Sequence, residues 1–235
     1  MKLSQSEFGH EYDTYRFGYC LWATLEAGDS IAAFYESGFL PYSADPKVRG
    51  TFYMARSARL DLKNFSLSSE NRRIAKRFDG TLARSEALLG DPRVHDLFLE
   101  YFRKRHGKQV MSAERLDAIL ASPLPLRLST YAKDGEPIAA VLEVVEGNLP
   151  AQAGFGHYWF SAYDPALVEQ SLGMWLMLDS ARRAKEAGLD SYYLGTVYGP
   201  KALYKTNFKP LEFWDGSKWN DDLALLKRLA RAEIK

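Results

Sequence analysis

Cysteine is nearly absent: Cys20 is the single one among 235 residues. No internal disulfide and no cysteine-built zinc site can form from it, and such scarcity fits a reducing compartment. Charge of one sign is missing too, with 31 Lys and Arg against 30 Asp and Glu. Any contact with a polyanion must therefore come from local basic clusters, not from the molecule as a whole. No apolar run approaches the roughly 20 residues that cross a bilayer. Residues 1–13 contain acids and no apolar core, which reads against a secretory signal. A cytoplasmic protein with no membrane contact is expected. Internal repeats and low-complexity tracts are lacking as well.

What is present suits a packed interior: 46% of residues are hydrophobic and 14% aromatic. The length fits one globular unit or two small lobes sharing a core. Residues 14–40 mix aromatics with a short helical pattern ending at Gly38, and 51–65 alternate as strands do. Ser68 is placed to cap a basic helix carrying Arg72, Arg73, Lys76 and Arg77. Helices are predicted at about 92–106 and 112–121. Strands are predicted at 125–132, 137–146 and 154–163, the first two joined by the hairpin signal Asp134-Gly135. A helix follows from about Leu172 to Ala187, closed by Gly188. Then come a strand at 191–194, a helix near 199–206, a strand near 208–214 and an amphipathic tail over 219–235.

Hairpin, strand, helix, strand, helix, strand is the element order of the GNAT acyltransferase core. The expected fold class is α/β (α+β), a GNAT-like core over 80–235 with a small N-terminal lobe over 1–79. In such a core one strand parts from its neighbour, and the next helix aims its free N–H groups into the gap.

Three segments carry a closer likeness. They are Tyr163-Asp164-Pro165 with Ser171-Leu172-Gly173, then Tyr193-Leu194-Gly195 leading to Lys201 and Tyr204-Lys205, then Phe208-Lys209-Pro210-Leu211-Glu212 with Asp215-Gly216 and Trp219. In order, and nearly in spacing, they resemble the arginyl- and leucyl-tRNA–protein transferases, whose pattern runs YDP, SLG, YLGY, KMxYKxxFxPxE and DGxW. The N-terminal half extends the resemblance. Phe34-Tyr35, Gly38-Phe39 and Arg59–Phe65 stand where that family has GF and RVxVxxF, and Ser68 with Asn71-Arg72-Arg73 where it has SxxQRR. The resemblance implies transfer of Arg or Leu from tRNA to proteins with N-terminal Asp or Glu, which marks them for degradation. It implies aminoacyl-tRNA and such acceptors as partners, with a monomer expected. The family's cysteine set, proposed to hold a metal or an iron–sulfur cluster, is missing; neither metal nor cofactor is expected here.

Asp164, Ser171 and Tyr204 are the catalytic candidates, Asp164 either orienting the amine or capping the following helix. Arg72, Arg73, Leu172, Gly173, Lys201 and Lys205 are the substrate-binding candidates; Lys201, Tyr204 and Lys205 suit the tRNA end or the acceptor carboxylate, with a solvated basic helix face as the alternative. The backbone amides at Ser171–Met174 form the natural oxyanion site; an ordinary N-cap at Ser171 is the alternative. Arginines suit phosphate or carboxylate because they bind both in bidentate fashion, and a solvated helix face is their alternative. Further basic groups, Arg103-Lys104-Arg105 with Lys108 and Arg182-Arg183 with Lys185, offer a track for a tRNA stem. His157, among alternating aromatics, reads as packed, and Cys20 as a small apolar residue. Two rival functions are an acyl-CoA N-acyltransferase and a non-catalytic binder of tRNA or acidic N-termini. Gln170, Gly173 and Trp175 stand where CoA enzymes carry their pyrophosphate loop, and Trp175 is expected to obstruct one.

Overall fold

The computed structural model describes residues 1–11, 16–147, 153–166 and 171–233. Gln170 and the expected loop at 148–150 lie outside them. A four-stranded sheet in the order β1-β2-β4-β3 uses β1 (Lys2–Glu11), β2 (Arg16–Thr24), β4 (Thr51–Met54) and β3 (Phe39–Pro41). The second sheet has eight strands in the order β12-β11-β5-β10-β9-β8-β7-β6. Its members are β5 (Ser57–Asp61), β6 (Ala83–Glu86), β7 (Leu126–Lys133), β8 (Glu136–Glu146), β9 (Phe155–Tyr163), β10 (Ser191–Thr196), β11 (Leu211–Trp214) and β12 (Trp219–Asn220). Among the described residues only β9 and β10 pair in parallel. Among the described residues, six α-helices accompany the sheets: α1 (Ile31–Glu36), α2 (Ser69–Phe78), α3 (Pro92–Arg105), α4 (Ala113–Leu120), α5 (Leu172–Glu186) and α6 (Leu223–Ala232).

Local chemistry explains most of these elements. Ser68 and Asn71 close a capping box at the head of α2, and Ile74, Ala75 and Phe78 bury one face of it. Asp134 and Gly135 both take positive φ (52° and 87°), the geometry of a tight hairpin turn between β7 and β8. Gly188 ends α5 with φ +75°. Gly38 needs its missing Cβ for a second reason beyond its φ of +79°, since a Cβ there would stand 2.3 Å from the Trp214 ring.

Some expectations shift. The strand pattern over 51–65 breaks at Ala55–Arg56, where the chain leaves the small sheet and enters the large one as β5. That strand sits between β10 and β11, so residues 1–79 do not close on themselves and a division at residue 79 crosses a shared sheet. The helix expected near 199–206 is a 3₁₀ helix, Pro200–Asn207. The strand after it begins at Leu211, later than expected, because Pro210 has no N–H to give a ladder. The hairpin β1–β2 and the short strands β3 and β6 were not legible in the pattern. Residues 1–6 and all of β6 are exposed, so neither strand shows the buried alternation by which strands are recognised.

The larger core lies between the eight-stranded sheet and its helices. A smaller one joins α1, the small sheet and the near ends of β8, β9 and β10 through Tyr35, Phe52, Val144, Phe155 and Tyr193. Tyr35 stacks within 4.4 Å of Phe155 and 4.8 Å of Tyr193, ring centre to ring centre. Among the described residues, no helix is long and apolar enough to cross a membrane.

Candidate functional site

β9 and β10 hold together only at their beginnings, where Phe155–His157 face Ser191–Tyr193. Beyond that β10 leans on β5, through Thr196 against Ser57, while β9 continues along β8 to Tyr163. Two register shifts accompany the parting, between Leu142 and Glu143 on β8 and between Tyr193 and Gly195 on β10. A bulge bends a strand away from its partner, so the expected gap in the sheet is present.

Into this gap the 3₁₀ helix sends Lys205. The residue is 8% exposed, and its ammonium donates to the Thr196 carbonyl at 2.8 Å. Burial alone lowers it from 10.5 to about 8. Among the described residues no carboxylate forms an ion pair with it. A Cβ placed on Gly195 would be 3.6 Å from Lys205 Nζ, 3.9 Å from His157 Nε2 and 4.0 Å from the Tyr158 carbonyl oxygen. Glycine at 195 thus keeps a small space beside the ammonium. His157 is fully enclosed and shares a 2.9 Å hydrogen bond between Nδ1 and the Tyr35 hydroxyl. Burial, and then the Lys205 charge, lower it to about 3, so it is neutral at any physiological pH.

The head of α5 lies against Tyr163 at the far end of β9. Ser171 occupies the N-cap in the left-handed region (φ 67°), and its hydroxyl makes no capping bond. The side chain of Leu172 is buried, so only its backbone can serve a ligand. Gly173 lies under the Tyr163 ring; a Cβ there would meet the phenol oxygen at 2.7 Å. Tyr204 leaves 43% of its surface exposed. Burial of its hydroxyl end, and then the neighbouring Tyr163, raise it to about 12. The Tyr204 phenol is thus a protonated donor at neutral pH. Asp164 ends β9 in a turn of its own, its Oδ1 accepting from Ala166 N at 2.9 Å. It lines a cleft of about 340 Å³ with Tyr101 and Lys104 of α3.

Other candidates stand elsewhere. Lys201 is exposed at the start of the 3₁₀ helix. Arg72 and Arg73 face outward on α2, the first donating to the Leu67 carbonyl and the second bidentate to Glu70. Arg103, Lys104, Arg105 and Lys108 are exposed.

Two expectations are corrected. Trp175 does not obstruct the head of α5. Its indole is 4% exposed, packs on Phe78 and Tyr131, and donates to Asp79 at 2.8 Å. Tyr163 is the group that covers Gly173. Nor do Arg182, Arg183 and Lys185 form a nucleic-acid track. Arg182 grips both oxygens of Asp79, Lys185 donates to the Lys63 and Phe65 carbonyls, and Arg183 joins Arg127 and Tyr192 around the fully buried Glu143. These groups tie α5 to its surroundings.

Reasoning from the sequence missed Tyr163, Gly195 and the His157–Tyr35 pair as neighbours of the gap. The first two were visible inside the YDP and YLG segments. His157 carried no signal, because its partner Tyr35 is 122 positions away.

The donor set for a metal or iron–sulfur cluster does not fit. Cys20 lies on β2, partly buried, and burial raises its thiol above the ordinary value. Among the described residues no three His, Cys, Asp or Glu side chains come together to hold a metal ion.

Residues 66–208 match the family described as acetyltransferase (GNAT) domain. The chain is 31% identical over 175 residues to an aspartate/glutamate leucyltransferase of Hyphomonas neptunium, across 70% of this chain and 67% of that one. A protein of the same name from Ruegeria pomeroyi is 30% identical over 172 residues, 69% of this chain and 60% of its own. A third, from Cereibacter sphaeroides, is 29% identical over 178 residues, 70% of this chain and 61% of its own. The match spans about three fifths to two thirds of the length of these relatives.

Proposed function

Because this chain belongs to the aspartate/glutamate leucyltransferase family and has a GNAT domain at its centre, we propose that it transfers leucine from leucyl-tRNA to the α-amine of proteins beginning with Asp or Glu. In the N-end rule sense, the added residue marks the acceptor for degradation. The observation that carries this reading is the convergence, at one gap in the sheet, of the α5 head, Tyr163, Tyr204 and the buried Lys205 ammonium. The names of the relatives favour leucine over arginine as the group moved.

In the reaction the neutral α-amine attacks the carbonyl carbon of the aminoacyl ester. The C–N bond forms, the bond from that carbon to the ribose oxygen breaks, and a proton passes from nitrogen to the departing oxygen. An α-amine titrates at roughly 7.7–8.0, so much of it is already neutral at cell pH. No Ser or Cys nucleophile is required. Holding amine and ester together and stabilising the oxyanion supply most of the rate. The backbone amides of Leu172 and Gly173, behind Ser171, take the oxyanion role. Tyr204 relays the proton to the ribose oxygen, and Asp164 orients the amine. Lys201, Arg72 and Arg73 contact the phosphates of the tRNA acceptor end.

The GNAT match also admits an acyl-CoA N-acyltransferase. Against it stands the Tyr163 ring over Gly173, since a pyrophosphate must approach that first turn closely. The test is incubation with labelled Leu-tRNA or Arg-tRNA and peptides beginning with Asp or Glu, beside thermal melting with acetyl-CoA. Leucine transfer is expected. Transfer of neither amino acid, or a melting shift with acetyl-CoA alone, overturns the proposal.

A further inference from the structure

Lys205 presents an unusual electrostatic situation. An ammonium has three N–H donors, and one of them is spent on the Thr196 carbonyl. Lysine is almost never fully buried unless paired, yet the groups facing this one are uncharged at neutral pH: His157 from β9, Tyr204 from its own turn, and the Thr196 and Tyr158 carbonyls. Among the described residues nothing compensates its desolvation. A negative charge of small size, entering beside Gly195, would supply what the fold lacks.

Resting on the reading above, we infer that Lys205 is the specificity residue for the acceptor: it pairs with the side-chain carboxylate of the first residue of the acceptor protein. A phosphodiester, with ester arms on both sides, needs a wider approach than an 8% exposed group offers. The flat end of an Asp or Glu side chain does not. The carboxylate completes the ion pair, whereas the isosteric amide of Asn or Gln leaves the ammonium buried and unpaired. His157, held neutral and hydrogen-bonded to Tyr35, adds no second positive charge beside the ammonium.

The test compares leucine transfer to four peptides differing only in a first residue of Asp, Asn, Glu or Gln, for the wild type and Lys205→Met. The wild type is expected to prefer each acid over its amide by roughly 100-fold in kcat/KM, the scale of stranding one partner of a buried charge pair. In Lys205→Met that ratio falls to within about threefold of unity, while KM for Leu-tRNA holds. Its kcat/KM for Asp peptides also loses the alkaline limb that the wild type shows above about pH 8, where Lys205 gives up its proton. An unchanged acid-to-amide ratio overturns the inference. So does an equal loss on all four peptides with a raised KM for Leu-tRNA, which would assign Lys205 to the tRNA end. If no peptide is leucylated by the wild type, the functional reading fails by itself. Calorimetric binding of the Asp and Asn peptides to the wild type then decides the inference alone: tighter binding of Asp upholds it, equal binding overturns it.

Discussion

Replacing Lys205 by Met keeps the length of the side chain and removes its charge. Lowering the ammonium from 10.5 to about 8 means that the fold holds it at an expense of ~3 kcal/mol at neutral pH, at 1.36 kcal/mol for each pKa unit. The variant gives up the bond to the half-buried Thr196 carbonyl, worth about 1 kcal/mol. Lys205→Met is therefore expected to be more stable than the wild type by ~2 kcal/mol at pH 7, or roughly 4–8 °C in Tm for a chain of this size. The sign of the pH dependence follows from the depressed value. Between about pH 8 and 10.5 the unfolded wild type binds more protons than the folded one, so its stability climbs as pH rises through that window. The Met variant has no such climb, and its advantage shrinks toward zero by about pH 10. Urea unfolding followed by the fluorescence of the five tryptophans, at half-unit steps from pH 6.5 to 10, reads both quantities. A variant less stable than the wild type at pH 7, or a difference flat with pH, would refute the uncompensated buried charge. The same result would remove the physical ground for an anion-reading Lys205. A gain in stability on losing a functional group is the signature of a strained site.

Four further outcomes are expected. Gly173→Ala drives a methyl to within 2.7 Å of the Tyr163 hydroxyl and lowers leucine transfer more than tenfold, with an unchanged circular dichroism spectrum. Trp175→Phe keeps transfer within about threefold of wild type, because the indole points at α2 and not into the gap; a large loss in a kinetic assay would return Trp175 to the site. Glu143→Gln uncouples Arg127 and Arg183 from a fully buried partner and costs about 3–5 kcal/mol in urea unfolding. Gly38→Ala combines a φ of +79° with a clash against the Trp214 ring, and roughly 3 kcal/mol or more is lost by the same measurement.

Local chemistry set down much of this molecule in advance. The capping box at Ser68, the Asp134-Gly135 turn, the closure of α5 at Gly188 and the strand–helix order from Leu126 onward are short-range features, written in neighbouring residues. The YDP, SLG and YLG segments marked where the gap would be, since each is contiguous. Tertiary structure decided which of their side chains meet. Trp175 sits two residues from Gly173, yet helical rotation turns it to the far face, and Tyr163 from another strand takes the place assigned to it. Arg182, Arg183 and Lys185 look like a basic track in one dimension; their partners Asp79, Glu143 and the Phe65 carbonyl come from elsewhere in the chain and consume them. The charge state of Lys205 was beyond sequence reasoning altogether. It depends on what surrounds the ammonium, and that was fixed only when β9 and β10 parted around it.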